Sequence, residues 1–191
     1  GGDRDYAVKA MEQAASSIWS MAYTSPMLHL LERLPQDTLF AHPQLFIMGC
    51  LTYAFTARPE KAERWVEQIR RSEASRNPAI SSKLVLADAA IALTLDQPLR
   101  VIGLLEPTLQ TPLENRSLRY ISLSGLATAY LSVGRADDAR KLHDQHPLDL
   151  QYRDNDMAMV FESTRALTSL REGNARQAQS IGASVTERAE Q

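Results

Sequence analysis

Apolar residues recur along the chain at intervals of three and four rather than two, so the pattern reads as helix throughout and offers no credible strand. Helix starts are punctuated by a residue ahead of proline, as in His42-Pro43, Asn77-Pro78 and Thr111-Pro112; Asn77 and Thr111 have good capping chemistry. Ten helices are expected, over residues 4–22, 26–34, 43–57, 59–75, 78–95, 98–110, 112–133, 135–146, 150–172 and 174–190. Pro107 falls inside the sixth and should end or kink it near Leu105, because proline removes a backbone donor and clashes with the preceding turn. The second is a short insertion with a serine cap and proline at its first position, Ser25-Pro26.

The helical pattern repeats. Similar segments follow four turns and end at Ala62, Val101, Ala139 and Ala178, spaced by 39, 38 and 39 positions. Twelve positions before each lies a small residue (Cys50, Ala89, Ala127, Ala166), and three after each a large apolar one (Trp65, Leu104, Leu142, Ile181). Small residues let two helices approach closely and the bulky one fills the space beside them, so each unit reads as an antiparallel helix pair. These spacings match the tetratricopeptide consensus, with Tyr53 and Tyr130 at its aromatic place and Ala92 and Ser169 departing from it. The repeat exceeds the usual length of about 34 residues, so extra turns must lengthen individual helices. The expected fold is all-α: a tetratricopeptide-like right-handed solenoid of antiparallel pairs, forming one helical-repeat domain over 1–191. Residues 1–42 hold a partial repeat plus the inserted helix, and 43–76, 78–111, 112–147 and 150–191 hold the pairs.

Leu30-Leu31-Glu32-Arg33-Leu34-Pro35, a short linker, His42-Pro43-Gln44-Leu45 and the stretch from Ala57 to Val66 resemble the tetratricopeptide-like region of MalT-type LuxR-family regulators. There a W/L-L-x-x-L-P element precedes h-P-x-L and a helix pair ending in a small-Ala-Trp/Leu segment. The resemblance covers roughly residues 2–75, and the rest agrees as further repeats. Members of that family are signal-transduction ATPases with a nucleotide-binding domain, this helical sensor region and a C-terminal DNA-binding helix-turn-helix; in the namesake the sensor region receives an inducer sugar. Neither a Gly-x-x-x-x-Gly-Lys-Ser/Thr loop nor a recognition helix occurs in these residues. The resemblance therefore implies an isolated inducer-sensing or interaction segment, with no cofactor of its own and ATP in a separate domain of the parent protein. That the chain starts and stops within helical pattern, at Asp5-Tyr6-Ala7-Val8 and Thr186-Glu187-Arg188-Ala189, fits an excised piece.

Charge narrows the partners. Lys plus Arg total 21 against 23 Asp plus Glu, and no basic run is dense enough to grip a phosphate backbone, so direct nucleic-acid contact is not expected. No stretch approaches the roughly 18 apolar residues of a membrane span, and the single Cys50, set among apolar residues, suits a buried thiol in a reducing, cytoplasmic setting. His143 and His146 have a spacing that can hold a metal on a helix, but no third ligand is evident and Pro147 ends the helix, which favours a surface structural role. Asp154 and Asp156 suit the dipole at the start of the ninth helix. No catalytic set can be picked out, and the protein is expected to bind rather than to catalyse.

Charged residues at positions where the repeat expects apolar ones are more informative: Asp88 in one unit, Glu162 and Arg165 in the last. A buried carboxylate needs a partner, and Asp88 is expected either to pair with Arg116 or Arg119 or to recognise a ligand. In a tetratricopeptide array the first helices line the concave face. Here that face would carry Gln44, Ile47, Leu51 and Phe55, then Lys83, Leu86, Ala90 and Thr94, then Ile121, Ser124, Thr128 and Leu131, then Ser163 and Leu167. The candidate ligand-binding residues are Gln44, Lys83, Asp88, Ser124, Thr128 and Arg165. The groove suits a small-molecule inducer or a protein helix; the alternative is a general tetratricopeptide adaptor that docks protein partners.

Overall fold

The computed structural model describes residues 6, 8–11, 24–56, 58–111, 113 and 115–190. The helix expected over 4–22 lies largely outside the described residues, among which ten α-helices and no strand are found. They are α1 (Thr24–Leu31), α2 (Gln36–Ala41), α3 (Pro43–Phe55), α4 (Pro59–Arg71), α5 (Pro78–Thr94), α6 (Pro98–Leu105), α7 (Arg116–Ser132), α8 (Ala136–Gln145), α9 (Asp156–Arg171) and α10 (Ala175–Ala189). The chain forms two compact units, residues 1–97 and 98–191, and the division falls inside the pair expected over 78–111.

In the first unit α3 is the central helix, packed against α1, α2, α4 and α5. It is apolar on nearly every side, as a helix enclosed by neighbours must be, with Leu45, Phe46, Ile47, Cys50 and Leu51 all buried. By contrast α4 buries one stripe, Pro59, Ala62, Val66 and Ile69, and exposes Glu, Lys and Arg elsewhere. In the second unit α7 is central and packs on α6, α8 and α9, and α10 packs on α9.

Four helix ends share one kind of backbone bond. The N–H groups of Arg58, Gln97, Arg135 and Asn174 reach back to the carbonyls of Tyr53, Ala92, Tyr130 and Ser169 at 2.9, 2.9, 2.8 and 2.8 Å. These are the six-to-one bonds that close a helix through a left-handed residue. At three of the four ends that residue is described: Asp96 (φ 53°), Gly134 (φ 78°) and Gly173 (φ 80°). The four ends keep the 39, 38 and 39 spacing of the sequence. Of the four small residues expected where helices touch, Cys50, Ala89 and Ala127 are at 2% exposure or less, whereas Ala166 is half-buried.

Several boundaries differ from the sequence reading. The short α2 had no periodic signal. Residues 59–75 divide at Ser72, whose extended backbone and hydroxyl bond to the Ile69 carbonyl (2.8 Å) end α4 before a 3₁₀ turn over Glu73–Arg76. Residues 98–110 divide at Leu105, as Pro107 requires, and continue as a 3₁₀ turn over Glu106–Gln110. The helix expected from 112 begins at Arg116: Thr111 closes the preceding turn on Thr108, and Asn115 is the cap, its side chain accepting from the Leu118 N–H at 3.0 Å. Asn155 starts α9 in the same way on the Met157 N–H, leaving Leu150–Tyr152 as a separate 3₁₀ turn.

Candidate functional site

The first unit holds a cleft of about 510 Å³ walled by the end of α1, the chain after it, α2, α3 and α4. Its floor is aromatic. Phe46 and Tyr53 lie seven residues apart on α3, and between them, at Gly49, the helix has no side chain. The Trp65 ring of α4 occupies that place, so close that a Cβ on Gly49 would fall against its ring carbons. Trp65 meets Phe46 at 4.5 Å and stands edge-on to Tyr53 at 5.1 Å between centroids, geometries that aromatic pairs favour. Leu31, Leu34 and Leu39 supply the apolar wall.

The rim is polar, and much of it is already engaged. Tyr53 donates its hydroxyl to Glu32 Oε1 at 2.9 Å, the same oxygen takes Lys61 Nζ at 3.2 Å, and Arg58 stands 3.9 Å away. The Tyr53 and Lys61 bonds hold the Glu32 carboxyl below its ordinary range, whereas burial and the bond to Glu32 push the Tyr53 phenol up to about 12. Lys61 also sits over the Tyr53 ring, 5.3 Å from its centroid. Two rim residues remain uncommitted: among the described residues Arg64 makes no ion pair and donates only to the Glu60 carbonyl at 3.2 Å, and Gln68 has no side-chain bond. The cleft therefore offers an apolar, ring-lined body with spare hydrogen-bond donors at its edge.

The residues selected from the sequence fall elsewhere. Lys83 donates to the Gln44 side-chain oxygen, so these two do meet. Asp88, 8% exposed, pairs with Arg70 of α4, not with Arg116 or Arg119. The neighbour that reaches it is on the preceding helix; Arg116 is held by Asp149, and Arg119 faces His146. Ser124 is buried and Thr128 half-buried in the second unit, and each hydroxyl bonds a carbonyl one turn back on its own helix, Tyr120 at 2.7 Å and Ser124 at 2.9 Å. Arg165 stands 3.8 Å from Glu162. Much of the expected face is not open: Ile47 and Leu51 are fully buried, and Leu86, Ala90 and Ile121 nearly so.

His143 is not at the surface. It is 3% exposed, its ring lies 4.5 Å from that of Phe161, its Nε2 is 3.4 Å from the Thr164 hydroxyl, and its Nδ1 has no partner. The reason is register: His143 follows Ala139 by four on the buried stripe of α8. Burial, with Arg165 adding to it, lowers its pKa to about 4. Cys50 is fully buried, and burial followed by the Asp88 charge pushes its thiol far up. Among the described residues no three metal-ligating side chains converge, and no helix is long and apolar enough to cross a membrane.

Sequence reasoning had Glu32, Lys61, Arg64 and Trp65 in hand as motif residues but had no means of seeing that they share a site. The Lys61 to Glu32 bond, spanning 29 positions, joins the two segments, and the Tyr53 hydroxyl on the same carboxylate ties both to α3. No family model, curated protein or solved structure matches the chain.

Proposed function

We propose that the chain is the ligand-sensing or protein-interaction segment of a MalT-like LuxR-family transcriptional regulator, built as a tetratricopeptide-like solenoid of antiparallel helix pairs and acting by binding rather than catalysis. One observation carries this reading: the two segments that bear the resemblance, around Leu30–Pro35 and Lys61–Trp65, line the same cleft. A motif whose only role was to join helices would not need an aromatic floor with an uncommitted guanidinium and amide at its rim. The cleft lies within the size range of small-molecule sites, about 300–1,000 Å³, and its lining suits a partly apolar ligand with a hydrogen-bond acceptor at one end. Such a segment would function in the cytoplasm, would need no cofactor of its own, and would depend on other domains for ATP and DNA.

The test is a thermal-shift screen of sugars, aromatic acids and alkane-like compounds against the wild type and an Arg64→Ala/Gln68→Ala double variant. A ligand at a hundred times its Kd adds about 2.7 kcal/mol, and that gain should shrink in the double variant while the unliganded melting temperature stays the same. A set of hits that stabilise both proteins equally places the ligand outside this cleft and removes the reading.

The adaptor reading has its own support. Val160, Leu167 and Leu170 on α9 are 44%, 52% and 56% exposed and, with exposed Ser163, follow a three-four-three spacing along one side of the helix. An apolar stripe of this kind suits a partner helix laid along it. Leu167→Glu would then abolish capture of a protein partner without affecting small-molecule stabilisation.

A further inference from the structure

In the second unit, Arg116, Arg119, Tyr120 and Leu123 lie on one side of α7 at helical spacing and face the chain leaving α8 at His146 and Asp149. Between them is a cleft of about 260 Å³. Its charges are unevenly matched. Arg116 is paired with Asp149 and stacked on the Tyr152 ring at 4.6 Å, and the Tyr120 hydroxyl accepts the Asp149 N–H at 3.0 Å, so that half of the cleft is closed upon itself. Arg119 makes no ion pair among the described residues. Among these residues its one hydrogen-bond partner is His146 Nδ1, at 3.2 Å.

A guanidinium can only donate, so His146 must present a lone pair at Nδ1 and carry its proton on Nε2. Burial and the adjacent Arg119 charge keep the imidazole on the neutral side. With Arg116 and Asp149 cancelling each other, one positive charge remains, half-buried and with most of its five donors unused. Beside it are the buried Leu123, the Tyr120 ring and Pro147.

We infer that this cleft binds a small organic monocarboxylate, the carboxylate forked onto Arg119 and the apolar body resting against Leu123, Tyr120 and Pro147. The planar guanidinium matches a carboxylate edge with two parallel bonds, which a single neutral imidazole nitrogen cannot offer it. A doubly charged phosphate is disfavoured because the Asp149 carboxylate lines the same small space. The site belongs to the second unit alone and stands whether or not the first unit's cleft receives a ligand.

The experiment is isothermal titration calorimetry of the whole chain with benzoate, phenylacetate and hexanoate, and with benzamide and phenyl phosphate as neutral and dianionic counterparts. At least one carboxylate should bind saturably with a Kd below about 10 mM, about tenfold or more tighter than benzamide. Arg119→Gln should weaken it by about tenfold or more, while Arg176→Gln, which removes an equal charge from α10, should leave it unchanged. Gln145 is exposed at the mouth, so Gln145→Trp should block binding without disturbing the core and covers the case in which Arg119→Gln fails to fold. Absence of saturable binding by all three carboxylates, benzamide binding as tightly, phenyl phosphate binding more tightly, or affinity indifferent to both Arg119→Gln and Gln145→Trp would each overturn the assignment.

Discussion

Glycine-to-alanine exchange at three helical positions should give opposite signs for reasons visible in the structure. At Gly49 an added Cβ would lie 2.8 Å from Trp65 Cε3 and 3.1 Å from Cη2, with a third ring carbon closer still. The indole has little room to retreat, since Phe46 and Tyr53 flank it at 4.5 and 5.1 Å. Overpacking of this kind costs about 1–3 kcal/mol, against which alanine gains about 0.8–1 kcal/mol of helix propensity. The net expectation is a loss of up to about 2 kcal/mol, which for a chain of this length lowers Tm by up to roughly 8 °C. At Gly103 and Gly182, inside α6 and α10, a Cβ meets nothing within 4 Å, so Ala should stabilise by about 0.5–1 kcal/mol. Urea unfolding followed by far-ultraviolet circular dichroism measures all three at constant m value. If residues 1–97 and 98–191 unfold in separate steps, each variant is scored on its own unit's transition. Gly49→Ala matching the other two in sign would refute the close approach of Trp65 to α3.

Other expectations follow from burial. Ala127 is fully enclosed, so Ala127→Leu should cost about 1–3 kcal/mol in a chemical-denaturation curve; an unchanged midpoint would mean α7 does not meet its neighbours there. Cys50 should resist Ellman's reagent at pH 8 in the native protein and release its single thiol only on unfolding; rapid native labelling would contradict its burial. His143 is held neutral to about pH 4 when folded, against 6.5 for a free imidazole, so on acidification the unfolded chain takes up the proton first. Its contribution is complete above about pH 6.5 and declines at up to about 1.4 kcal/mol per pH unit below it. Wild-type Tm should thus fall more steeply than that of His143→Leu between pH 6.5 and 5, and parallel slopes would sink the argument.

Most of the helices are legible because they carry a period or an apolar run, whereas α2, only six residues long, has neither. Boundaries are less so, since capping by Asn115 or Asn155 is one side-chain bond, which at Asn115 competes with the nearby Pro112 for the start. The site was the hardest to read. Ser124 and Thr128 looked available on a helical wheel, yet a hydroxyl on a helix can always bond the carbonyl four residues back, and both do. Asp88 was recognised as needing a partner, but which Arg reaches it depends on helix packing between chain positions 18 apart. Glu32, Arg64 and Trp65 belong to segments some 30 residues apart, brought together by the Lys61 and Tyr53 bonds to Glu32 and by the Gly49 gap.

The central claim is that the cleft around Trp65 receives the ligand, and Trp65 can report on it directly. The chain has two tryptophans, so in a Trp19→Phe background the emission comes from Trp65 alone. Titrating a compound that raises Tm into this protein should change the emission intensity or wavelength saturably, with the Kd found from the thermal shift, and Arg64→Ala should weaken both by the same factor. A compound that stabilises the protein while leaving Trp65 emission flat through saturation would contradict the account.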